Sequence, residues 1–164
     1  MSLTVSIGFS TSDWWVSRVI RFFTRAPVSH TYIVFDDPSA AFRHEVYEAA
    51  WCGFRISCRE ALTRGSTRIV REIPVGINAM NALTTCREWL ETPYDYLGLL
   101  GQAWVQIGLW LGQRWENPCA SKHFDFCSEI AVQVLQRGCF APVYGLIPSE
   151  IDPATLEKIL LLRA

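Results

Sequence analysis

Residues 3–9 alternate apolar and small polar side chains, the period-two pattern of a strand with one buried face. Ser12 or Asp13 then caps a helix that ends near Arg25, ahead of Pro27. Residues 28–35 are β-branched and aromatic and predict a strand, followed by a turn at Asp36-Asp37-Pro38-Ser39. Residues 44–49 return as a second strand of that pair, and 54–58 predict a third. Residues 67–73 are again β-rich and end at Pro74. The period then changes to helical from about Asn78 to Glu91, with a stop before Pro93. A further helix is predicted over 96–111, and a polar loop runs through Asn117 and Pro118. Another helix opens around Cys127, continues through Ile130, Ala131, Val134 and Leu135, and stops at Gly138. Asp152 and Pro153 form a helix start for 154–162, with the proline in the first helical position. There is no internal repeat and no linker. The pattern predicts one α+β domain over 1–164, with an antiparallel sheet from the middle of the sequence packed against helices.

Composition narrows the function classes. Apolar residues are 50% of the 164 and charged residues 19%, enough to bury a core. The net charge of −1, without a basic run, argues against nucleic acid as a partner. The six cysteines show no framework spacing and read as reduced thiols. Residues 1–9 lack a basic start and a small-residue cleavage site, so the expected location is cytoplasmic. Residues 96–111 are interrupted by Gln102, Gln106 and three glycines and predict a buried helix rather than a span. Residues 14–25 mix Trp, Val, Ile and Phe with Arg18, Arg21 and Arg25. Packing on the sheet is the favoured expectation for that helix, and contact with a bilayer surface the less favoured one.

The candidate chemistry lies in Phe124-Asp125-Phe126-Cys127-Ser128-Glu129 and in Ser29-His30-Thr31-Tyr32. A thiol in the first turn of a helix meets backbone N–H groups and the positive end of the helix dipole, which favour a thiolate. A histidine at the mouth of a strand can share its proton. A turn centred near Ser39 would pair His30 with Glu48, which would then orient the imidazole. The backbone N–H of Cys127 and a second donor, from Tyr32 or Tyr94, would hold an oxyanion. Tyr32 and Trp51 are candidate substrate contacts. Taken singly, Cys127 reads as a small buried hydrophobe, His30 as a structural histidine and Glu48 as a surface charge; their joint placement favours chemistry. Cys119, His123 and Cys127 recur at a spacing that suggests a metal, but Pro118 and the polar loop break the helix this would need; no metal and no cofactor are expected.

In order along the chain, Ser29-His30, Val46-Tyr47-Glu48-Ala49, Gly53, Pro93-Tyr94-Asp95-Tyr96 with Gly98, Phe126-Cys127-Ser128-Glu129 and Pro148-Ser149-Glu150 form a set. This set resembles the circularly permuted branch of the NlpC-like, papain-fold cysteine hydrolases. That branch includes the YiiX-type proteins and, more distantly, the lecithin:retinol acyltransferase-like enzymes. His-before-Cys order with a long gap marks the permuted branch. The resemblance implies a permuted papain-like fold, a nucleophile at Cys127, a base at His30 and a third polar residue. Glu48 fits that third place, and His44 is the nearest analogue of the second histidine used by the acyltransferase-like members. It also implies Tyr94 as a substrate contact and a thiol hydrolase that cleaves a peptidoglycan-type peptide amide through a thioacyl-enzyme, acting on a cell wall only after release or delivery. A lipid-directed acyl hydrolase or acyltransferase is the alternative, and a non-catalytic binding module on the same fold is a further one.

Overall fold

Alternating patterns in the first half of the chain pair into one sheet. A computed structural model of the protein describes residues 3–37, 44–50, 52–93, 101, 104–105, 107–116, 118 and 127–163. The strands are β1 (Thr4–Thr11), β2 (His30–Asp36), β3 (His44–Ala50), β4 (Gly53–Ser57) and β5 (Arg68–Val75). Their order is β4-β3-β2-β1-β5, with every neighbouring pair antiparallel. β5 continues past Ile73 through Pro74 to Val75, beyond the expected end. It is an edge strand, and a proline without an N–H is tolerated there.

The helices are α1 (Trp15–Thr24), α2 (Arg59–Leu62), α3 (Ala79–Glu88), α4 (Cys127–Arg137) and α5 (Pro153–Leu161). Caps set two of the starts. The Asn78 side chain accepts from the Asn81 N–H, and Asp152 accepts from the N–H groups of Ala154 and Thr155. α2 was not expected, because a single turn carries no readable period. Half of the expected helix over 96–111 lies outside the described residues; of the rest, 101, 104–105 and 107–110 are helical. Among the described residues no helix is long and apolar enough to cross a membrane.

Both faces of the central strands are covered. Val5, Ile7 and Phe9 of β1, Ile33 and Phe35 of β2, and Tyr47 of β3 build the main core. α3 adds Ala82 and Cys86, α4 adds Ile130, Val134 and Leu135, and α5 adds Leu156 and Leu160. α4 is buried almost all round, as befits a helix at the centre of a domain. On the opposite face Tyr32, Val34 and Val46 cluster with Leu62 of α2.

α1 departs from the favoured expectation of an apolar face laid on the sheet. Ser17 is its buried residue. The Ser17 hydroxyl shares a 2.5 Å hydrogen bond with Ser29 Oγ and accepts from the Ser12 N–H at 3.0 Å. A polar stitch therefore fixes this helix beside the start of β2.

The register of β2 on β3 also differs from expectation. Tyr32, not His30, lies opposite Glu48, so the pairing is displaced by two residues. Because side chains alternate with period two, a displacement of two leaves His30 and Glu48 on one face as diagonal neighbours.

Gly8 lies opposite Tyr32 on one side and Glu72 on the other, and the Tyr32 ring crosses over it to reach the Glu72 carboxylate. A Cβ at Gly8 would fall inside that ring. Gly8→Ala is therefore expected to cost about 1–3 kcal/mol, the range for overpacking a tight interior. Urea unfolding should show a lower midpoint at unchanged slope; an unchanged midpoint would refute the close packing of ring on backbone.

Candidate active site

β2 and β3 are paired from Tyr32 and Glu48 towards Asp36 and His44, whereas both strands extend further at the Tyr32 end. Past that pair the ladder stops and His30 occupies the strand mouth. Cys127, the first residue of α4, meets β2 there. Its sulfur receives hydrogen bonds from the His30 side chain and from the backbone N–H groups of Thr31 and Ser128. The thiol is buried, and the His30 side chain keeps 24% of its surface exposed.

The Glu48 side chain is 7% exposed and lies between two cations. His30 Nε2 is 3.5 Å from Glu48 Oε2. Arg55 donates to Glu48 Oε1 from Nε at 3.1 Å and from Nη2 at 2.7 Å. With Nε2 facing the carboxylate, Nδ1 is the ring nitrogen left for the sulfur.

Burial and pairing compete at each group. Burial raises the Glu48 carboxyl, but hydrogen bonds and charge from His30 and then Arg55 outweigh it and hold it at about 2. Burial alone would lower the His30 imidazolium; the Cys127 thiolate and then Glu48 more than reverse this, pushing it up to about 10. Burial raises the Cys127 thiol, yet His30 and the two backbone donors bring it below the ordinary thiol range. Four groups thus alternate in sign from Arg55 through Glu48 and His30 to Cys127. The arrangement favours the thiolate–imidazolium form of the Cys127–His30 pair over the neutral thiol and imidazole.

The other expected residues separate clearly. Tyr32 faces away from the role of substrate contact or oxyanion donor, since its ring is buried and its hydroxyl donates to Glu72 at 3.0 Å. Burial, and then Glu72, push its phenol above the ordinary range. His44 sits opposite Asp36 at the far end of the β2–β3 pair, four residues along the strand from Glu48, or about 13 Å. Glu48, not His44, therefore stands beside the imidazole. Tyr94, Trp51, Cys119 and His123, together with Phe124-Asp125-Phe126, lie outside the described residues.

A cleft of about 240 Å³ opens on His30 and Glu48, and the buried Cys127 is not part of its lining. His30, Glu48 and Arg55 form one wall; Trp14, Val16 and Ile20 of the α1 segment form another. Ser10, Thr11, Ser17 and Ser29 line its floor. Among the described residues the hydroxyls of Ser10 and Thr11 are buried without a hydrogen-bond partner. No family model matches the chain, and no curated protein matches it.

Arg55 and the serine floor were not anticipated. Arg55 was within reach of the sequence: the short connection between β3 and β4 at Gly53, where φ is +112°, sets Arg55 directly opposite Glu48.

The electrostatics give a pH profile. In the wild type, alkylation of Cys127 should be rapid at about pH 6, where an ordinary thiol is protonated. In His30→Ala the cation is lost while burial stays, so the thiol rises and labelling should require alkaline pH. The reciprocal measurement is the His30 imidazole by NMR: Cys127→Ala should lower its midpoint from about 10, because the thiolate that raised it is gone. Equal labelling of Cys127 and the other thiols at about pH 6 would refute the ion pair.

Proposed function

We propose that the protein is a thiol hydrolase acting on an amide bond through a thioacyl-enzyme. The observation that carries this reading is the buried Cys127–His30 pair with Glu48 behind the imidazole. The thiolate attacks the carbonyl carbon and forms the S–C bond, pushing the electron pair onto oxygen. Collapse breaks the C–N bond as the His30 imidazolium gives its proton to the departing amine. Neutral His30 then takes a proton from water, whose oxygen attacks the thioester. The C–S bond breaks, and the acid leaves with the thiolate–imidazolium pair restored. Glu48 keeps the ring oriented and its positive charge compensated throughout.

The resemblance noted in the sequence favours a peptide amide of the cell-wall type. A second substrate reading, an acyl ester or amide of a lipid, is favoured by Trp14, Val16 and Ile20 on the wall of the cleft. Incubation with muropeptides and with lipid vesicles separates the two, by amine release in one case and fatty acid release in the other.

Catalysis should rise with pH through the depressed thiol and fall above about pH 10 as His30 loses its proton. Cys127→Ala should abolish turnover and the acyl-enzyme mass adduct. His30→Ala should lower kcat/KM by about 10²–10⁴, the usual worth of a general acid–base. Glu48→Gln should move the alkaline limb to lower pH, since the imidazolium loses its partner carboxylate. Turnover that survives Cys127→Ala would overturn the proposal.

A further inference from the structure

α1 presents to solvent the face that a helix packed on a sheet would hide. With Ser17 turned inwards, a period of 3.6 residues puts Trp15, Val19 and Phe22 on the opposite side. These three are 62%, 39% and 68% exposed. The surface continues onto the helical turn at 107–110. The Trp110 ring packs edge-on to Phe22 with centroids 5.9 Å apart and stacks on Phe23 at 5.6 Å, and Leu111 beside it is exposed. Isolated exposed apolar side chains are ordinary, but a contiguous aromatic patch of this kind marks an interaction surface.

Charge selects the occupant. Residues 14–35 contain no Asp or Glu, while the exposed Arg18 and Arg25 line one flank of the apolar side, in a protein whose net charge is −1; Arg21 turns inwards and donates to the Ser12 carbonyl. The Arg25 guanidinium lies 4.8 Å above the Trp110 ring, which ties the cationic flank to the patch. A two-fold pairing of this face with a second copy would set one cationic flank against another, and residues 14–35 bring no carboxylate to meet it. An apolar strip of Trp, Val and Phe with arginines at its border suits an interface of acyl chains and anionic headgroups.

We propose that the outer face of α1, continued by Trp110 and Leu111, docks on an anionic lipid bilayer. Trp15, Val19 and Phe22 enter the boundary between headgroups and acyl chains, and Arg18 and Arg25 meet the phosphates. Because Trp14, Val16 and Ile20 of the same segment wall the cleft, docking sets the cleft beside the lipid surface. Vesicle binding does not require the chemistry at Cys127, so docking and hydrolysis fail or succeed separately.

The test is co-sedimentation of the whole protein with vesicles of phosphatidylcholine mixed with phosphatidylglycerol, and with phosphatidylcholine alone. Binding to the mixed vesicles, weakened by salt, is expected. Arg18→Gln should weaken it about fivefold, the worth of one basic residue at an anionic surface. Trp15→Ser with Phe22→Ser should weaken it more than about tenfold. Circular dichroism and the rate of Cys127 alkylation should stay as in the wild type; if the double variant unfolds, Arg18→Gln and the salt dependence decide. Failure to bind mixed vesicles, or binding indifferent to salt and to these substitutions, overturns the proposal. So does a dimer in sedimentation velocity that Phe22→Ser converts to monomer.

Discussion

A carboxylate removed from water must be compensated, and the candidate site is built on how Glu48 meets that demand. Arg55 occupies one of its oxygens and His30 faces the other. The alternation continues to Cys127, whose sulfur closes the series against the N–H groups of Thr31 and Ser128. Each member is stabilised by the one before it and stabilises the next. Removing one partner of a buried ion pair leaves the other uncompensated, a larger loss than the net worth of the intact pair. The lowering of the Cys127 thiol thus comes from His30, which Glu48 in turn supports, and not from the helix end alone.

The sheet makes that row possible through parity. His30 and Glu48 share a face because they lie on adjacent antiparallel strands an even displacement from direct opposition. That is why the expected His30–Glu48 relation survived a register error of two. An error of one would have turned Glu48 to the opposite face. The strands, α3, α4 and α5 were legible because each carries a period, a cap or a proline that local chemistry fixes. The α+β class with one antiparallel sheet follows from them; the permuted papain-like arrangement stays with the resemblance.

What local chemistry does not fix was misread. Tyr32 looked like a donor near a reacting carbonyl, but Gly8 leaves a trough across β1 that leads the ring to Glu72 on β5. Only the order of strands reveals that trough, and strand order is a long-range fact. Arg59 reinforces this far side by pairing with Glu72. The amphipathic pattern of α1 was equally plain and equally incomplete. A hydrophobic stripe says that a helix has two sides, not which of them meets the rest of the protein.

Ser17 decides that question, and its position links the two surfaces. Its partner Ser29 immediately precedes His30, so the contact that turns the apolar side of α1 outwards also anchors the residue next to the imidazole. Rotating α1 to bury Trp15 and Phe22 would carry Ser17 to solvent, break the Ser17–Ser29 bond and leave the Ser29 hydroxyl buried and unsatisfied, at about 1–3 kcal/mol. It would also withdraw Val16 and Ile20 from the wall of the cleft. The outward apolar face is therefore a condition of the cleft as it stands, not a defect of packing beside it. A partner that covers this face gains apolar contact without disturbing the serine stitch, and it does so at the edge of the cleft that His30 and Glu48 line.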